Sequence, residues 1–241
     1  MIWPGRGRPR PQAFRSRRRR EQRVDRLPLG DLRPEPVALL GRTAYLQLSL
    51  FEFATTLAGR ATELKDREAI TRIAAALLER HTSIVTMLED HGVDGATAMQ
   101  PYTDEIDRYW RRLGETAWIE AVLTLHLATG ILDDFFAQLG AGLPGRDGER
   151  YPALLRRDIG HEVLAGLLAD AIAQDRRTTS RLALWGRRLV GDTLLLARSA
   201  LGAARDTSGV PATTDERRVE PVLTELIAAH TRRMDGLGLT A

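Results

Sequence analysis

The sequence contains no cysteine. That excludes a disulfide scaffold, a zinc site with thiolate ligands, iron–sulfur ligation and thiol catalysis. Lysine is nearly absent as well, since Lys65 is the only one among 35 basic residues. So extreme an arginine bias points to a GC-rich genome more than to a functional demand. Aromatic residues make up 5% of the chain, and no alternating apolar run is bounded by a hairpin turn, so strand signals are weak. No stretch of about 18 consecutive apolar residues occurs, which excludes a transmembrane helix. The first 35 residues lack the apolar segment of a secretory signal, so the expected compartment is the cytoplasm.

What is present is an ordinary globular balance, 43% hydrophobic and 28% charged. The charge is unevenly spread. Residues 1–35 hold 11 Arg against Glu21, Asp25, Asp31 and Glu35, a net of +7. The whole chain is +3, which leaves −4 for residues 36–241. The arginine run at 15–20, with Pro4, Pro9 and Pro11 nearby, reads as a basic, disordered tail ahead of a folded domain spanning 36–241. Its functional reading is an arm for nucleic acid, because guanidinium groups neutralise phosphates and release counterions.

Proline then marks the organisation. It is missing between Pro36 and Pro101, between Pro101 and Pro144, and between Pro152 and Pro211, which permits long helices. The apolar periodicity predicts six of them, over 36–59, 66–91, 116–140, 150–174, 178–206 and 216–236. Leu40, Ala44, Gln47, Phe51 and Ala54 recur at helical steps in the first. Trp118, Ala121, Leu125, Ala128, Leu132, Phe135 and Leu139 make an unbroken apolar stripe in the third. Residues 92–115 read as a long connection. Gly92 suits a left-handed helix end after the second helix. Two long helices, a crossover and two more suit an all-α four-helix bundle of ferritin-like connectivity, with two further C-terminal helices packed on it.

The best local signal for chemistry is Asp158-Ile159-Gly160-His161. Read on the helix expected over 150–174, the acid and the imidazole share one face, a spacing that can present both to a metal pair. His126 and Asp133 fall on one side of the third helix. A metal site made of His126, Asp133, Asp158 and His161 is therefore conceivable, although a dimetal centre normally needs more carboxylate. Glu79-Arg80-His81 has the wrong spacing, because residues two apart point to different faces. His230 reads as a hydrogen-bonded core histidine, and His91 as a helix-end residue. The glycines at 140–148 follow no strand, so no phosphate loop is indicated.

Five stretches carry a family resemblance: LLGRTAYLQLSLFE (39–52), LEDHGVDGATAMQPY (88–102), RRDIGHEVLAGLL (156–168), RLALWGRRLVGD (181–192) and AAHTRRMDGLGL (228–239). Through them the chain resembles an actinobacterial family of ferritin-like proteins, relatives of the tRNA 2-methylthio-N6-isopentenyladenosine hydroxylase. The resemblance implies a ferritin-like bundle with extra C-terminal helices. In members that keep the ligands it also implies a di-iron site that inserts oxygen into the isopentenyl group of a modified adenosine. Aligned with that pattern, the ligand positions fall on Gln47, Leu77, Arg80, Thr129, Asp158 and His161, of which only Asp158 and His161 match ligand types. The expectation is a degenerate metal site without cofactor and a non-catalytic protein that acts through binding. The competing expectations are an active dimetal oxygenase with shifted ligands, and a nucleic-acid-associated protein using its arginine arm. A homodimer is compatible with either. Arg80 is expected to fill the volume of a metal and to pair with Asp158.

Overall fold

The computed structural model describes residues 33–114, 116–202, 204–205 and 216–241. The tail expected over 1–35 therefore lies outside the described residues except for its last three. Of these, Arg33 and Pro34 form a two-residue strand, β1, antiparallel to β2 at Ala204–Arg205. Otherwise the described elements are helical: α1 (Pro36–Gly59), α2 (Leu64–Asp90), α3 (Gly95–Met99), α4 (Thr103–Leu113), α5 (Trp118–Gly140), α6 (Asp147–Leu155), α7 (His161–Gln174), α8 (Arg176–Gly202) and α9 (Glu216–Gly236).

Local chemistry sets the helix ends. Glu35 caps α1, its carboxylate accepting from the amides of Val37 (3.2 Å) and Ala38 (2.5 Å), with Pro36 in the first turn. Helix α2 stops at His91, and Gly92 takes φ +74°, as the sequence indicates. Glu120 reaches back to the amide of Ala117 at 2.9 Å and holds the start of α5.

Helices α1, α2, α5 and the pair α6–α7 form the bundle. Helix α5 is its centre. Almost every residue from Ile119 to Gly140 is buried, including both sides of the apolar stripe. A helix apolar all round must be covered on all sides. Helices α8 and α9 supply part of that cover, with Leu182, Leu189, Leu196, Leu226 and Met234 buried in the common core. No helix among the described residues is long and apolar enough to cross a membrane.

Three segments depart from the sequence reading. The helix expected over 178–206 ends at Gly202, and Ala204–Arg205 pair with β1 instead of continuing it. The connection 92–115 is itself helical: Asp94 caps α3 by accepting from the Thr97 amide at 2.8 Å, and α4 follows after a 3-10 turn at Gln100–Tyr102. Arg42 and Tyr45 of α1 hold α4 through Glu105 (3.3 Å) and Asp107 (2.7 Å). The helix expected over 150–174 is broken. Gly160 takes φ +105°, a conformation closed to residues with a Cβ, and separates α6 from α7. Tyr151 of α6 packs its ring on Gly140, and its hydroxyl meets Thr43 Oγ1 of α1 at 2.7 Å.

Candidate functional site

Within the bundle Asp133, Arg80 and Gln47 form a connected set of buried polar side chains. Asp133 projects from α5 and is 5% exposed; Arg80 projects from α2 and is 3% exposed. Arg80 Nη1 donates to Asp133 Oδ2 at 2.5 Å. The other carboxylate oxygen, Oδ1, accepts from the amide of Gln47 on α1 at 2.9 Å. Arg80 Nη2 donates to the carbonyl of Leu155 at 2.9 Å and also to that of Arg157. Leu155 closes α6, so the guanidinium satisfies carbonyls that a helix end leaves without partners and sits at the negative end of its dipole. Burial pushes the Asp133 carboxyl above the usual range, opposed by the Arg80 guanidinium and the Gln47 amide.

The remaining candidate residues take other parts. Leu77 lies fully buried on α2, one turn before Arg80. Thr129 is fully buried, and its hydroxyl turns back onto its own helix, donating to the Leu125 carbonyl at 2.6 Å. Asp158 is exposed and precedes α7. It accepts from the amides of Gly160 (3.1 Å) and His161 (3.0 Å), so it holds the turn that leads into α7 and is not a second interior carboxylate. The His161 amide is the main cause of its lowered pKa. The expected pairing of Arg80 with Asp158 is therefore replaced by pairing with Asp133, and Asp158 and His161 do not share a helix face. The turn formed by Gly160 allows a short local hydrogen bond that competes with helix continuation.

His126 and His161 do approach one another. Their rings stand edge to face with centroids 5.7 Å apart. His126 is buried, and its pKa falls to about 4, first from burial and then from the neighbouring His161 and Arg233. The His161 pKa is also lowered, chiefly by burial. Arg233 reaches in from α9 and donates to Asp134 (2.6 Å) and to the Gly130 carbonyl (2.8 Å). His230 is buried as expected, although neither ring nitrogen has a hydrogen-bond partner among the described residues.

These residues do not suit a pair of divalent metals. Such a pair takes roughly four carboxylates and two imidazoles from the bundle helices. Here Asp133 is the interior carboxylate, and both of its oxygens are engaged. A fixed guanidinium stands against it and would repel a divalent cation. Among the described residues, no three His, Asp or Glu side chains gather closely enough to hold a metal ion. The sequence reading treated Asp133 only as a possible ligand and missed it as the partner of Arg80. The available signal was an acid in line with His126 and Thr129 on a helix whose neighbouring positions are mostly apolar.

No curated protein matches the chain. Residues 33–208 match the profile of the ferritin-like domain of actinomycetes. That match spans most of the sequence and every element from β1 to β2, and the chain belongs to this ferritin-like family.

Proposed function

We propose that this protein is a ferritin-like bundle that has given up dimetal chemistry and acts through binding. The observation that supports it best is the engagement of Asp133 by Arg80 and Gln47. By the resemblance to tRNA-modifying hydroxylases, Gln47, Leu77, Arg80 and Thr129 stand at ligand positions. Leu77 offers no donor atom, Thr129 spends its hydroxyl on its own helix, and Arg80 brings positive charge. Loss of metal from a carboxylate-lined bundle requires compensating loss of buried negative charge, and these replacements supply it. The competing reading, a hydroxylase working through His126, Asp133, Asp158 and His161, would have to detach Asp133 from Arg80 and Asp158 from the start of α7. Iron, manganese and zinc analysis of protein expressed in metal-supplemented medium separates the two. The proposal expects far less than one metal per chain, and two metals per chain would overturn it.

A second observation bears on the binding partner. The β1–β2 pairing sets residue 33, where the arginine-rich segment ends, beside the C-terminal end of α8. Helix α8 is itself basic, with Arg177, Arg181, Arg187, Arg188 and Arg198 against Asp192. A phosphate polymer is the partner that such charge favours. RNA binding that weakens steeply with salt, and loses much of that slope when residues 1–30 are removed, is the expected result. Binding with the same affinity and slope in both forms would exclude the arm.

A further inference from the structure

We infer that Arg80 is a structural cation built into the chain, holding by its guanidinium the segments that a metal would otherwise gather. The inference rests on the metal-free reading above and says what stands in the metal's stead. Three oxygen acceptors converge on the guanidinium: Asp133 Oδ2 of α5 and the carbonyls of Leu155 and Arg157 at the end of α6. Gln47 of α1 joins through the other oxygen of Asp133. Arg80 itself belongs to α2. One side chain thus connects α1, α2, α5 and the α6–α7 junction, the elements that make the bundle.

The chemistry suits a guanidinium better than any other side chain. Its planar fork sends Nη1 to the carboxylate and both Nη2 protons to carbonyls, which the single point charge of a lysine could not match. The acceptor set is oxygen only. With no Arg80 side chain it would be a small cavity carrying the Asp133 charge and the negative end of the α6 dipole, open to an added planar cation. At the α6–α7 junction Leu155 and Ile159 are buried in the core, and Arg80 adds the polar tie. Gly160 breaks the helix there, and Asp158 is occupied with the first amides of α7.

The test uses the full chain, with thermal melting followed by circular dichroism. Dialysis of the wild-type protein against a chelator should leave its melting temperature unchanged. Arg80→Ala should lower it by about 10 °C, the shift expected for orphaning a buried charge in a domain of this size. Millimolar guanidinium chloride, far below denaturing concentrations, should then raise the melting temperature of Arg80→Ala. It should not raise that of the wild type or of the double variant Arg80→Leu with Asp133→Leu, and sodium chloride at equal strength should not replace it. If Arg80→Ala cannot be obtained folded, the leucine variants decide. A double variant that folds where Arg80→Leu alone does not supports the inference, and failure of both overturns it. It is also overturned if Arg80→Ala melts with the wild type, if guanidinium shifts all forms alike, or if the chelator destabilises the wild type. Metal bound to the purified protein would remove the reading beneath the inference. A metal-free protein indifferent to Arg80→Ala would remove the inference alone.

Discussion

Arg80 Nη1 and Asp133 Oδ2 lie 2.5 Å apart in a bundle interior where both side chains are almost wholly buried. Two charges at such a distance from water are tolerable only when matched to each other and hydrogen-bonded on their remaining atoms. The Gln47 amide and two main-chain carbonyls provide those bonds for Asp133 Oδ1 and Arg80 Nη2, while Arg80 Nε has no partner among the described residues. The pair is 53 residues apart in sequence. It is brought together by the bundle, in which α2 and α5 each pack on α1 and on the α6–α7 pair.

Gln47→Glu tests the charge balance directly. It would set a second carboxylate against Asp133, and two buried carboxylates in contact cannot both ionise. The variant should be destabilised at neutral pH. It should recover toward the wild type as pH falls and the new carboxyl takes up a proton. Urea titrations at pH 7 and pH 5 check this, and an equal deficit at both would contradict it. Gln47→Leu, which merely removes the hydrogen bond to a charged group, should cost about 1.5–3 kcal/mol.

Asp158 and Asp133 should behave differently on truncation. Asp158→Ala loses two local hydrogen bonds at an exposed turn, including one to the first amide of α7, and should cost about 0.5–2 kcal/mol. Asp133→Ala leaves the Arg80 guanidinium buried without its counter-charge and should cost about 3–5 kcal/mol. Equal losses from the two substitutions in denaturant unfolding would reverse the assignment of roles.

The imidazole of His126 predicts an acid-sensitive window. Its folded pKa of about 4 lies below its ordinary 6.5. Between those values the unfolded chain binds a proton that the folded chain refuses. The contribution is therefore intact above pH 6.5 and is lost progressively as pH falls toward 4, by about 3 kcal/mol in all. His126→Leu should flatten the stability profile between pH 6.5 and 4. Parallel profiles for the two proteins in that window would show that His126 takes no part.

Gly140→Ala should be among the most harmful small substitutions. A Cβ there would strike the aromatic ring of Tyr151, which is itself fully buried and tied to Thr43. A rigid ring cannot swing aside as a flexible chain end can, so a loss of about 1–3 kcal/mol or more is expected from overpacking. Gly166→Ala, where nothing lies within 4 Å of the added carbon, should stay near the wild type. Melting temperatures of the two variants make the comparison.

Periodicity alone was enough for much of this architecture. Helices α1 and α9 begin and end where their apolar spacing and flanking residues place them, and the largely apolar α5 suits the centre. That Leu77 and Arg80 offer no metal ligand was equally plain, since residue identity decides what can ligate. The helices between 95 and 113 were harder to see because they are short and mostly polar, and the buried stripe of α4 is only Ile106, Tyr109 and Leu113.

Apolar spacing thus determined an all-helical bundle, and residue identity put an arginine at position 80 of its second helix. Which acid answers that arginine was settled only by the tertiary structure. Asp133 and Asp158 are the same residue type, and both lie within reach of α2 on a simple bundle drawing. Gly160 turns the chain out of the helix and lets Asp158 satisfy two nearby amides, while the packing of α5 carries Asp133 to the buried guanidinium. A short-range hydrogen bond at an exposed turn needs no charge partner, but a buried cation does, and that difference in solvation decides the pairing.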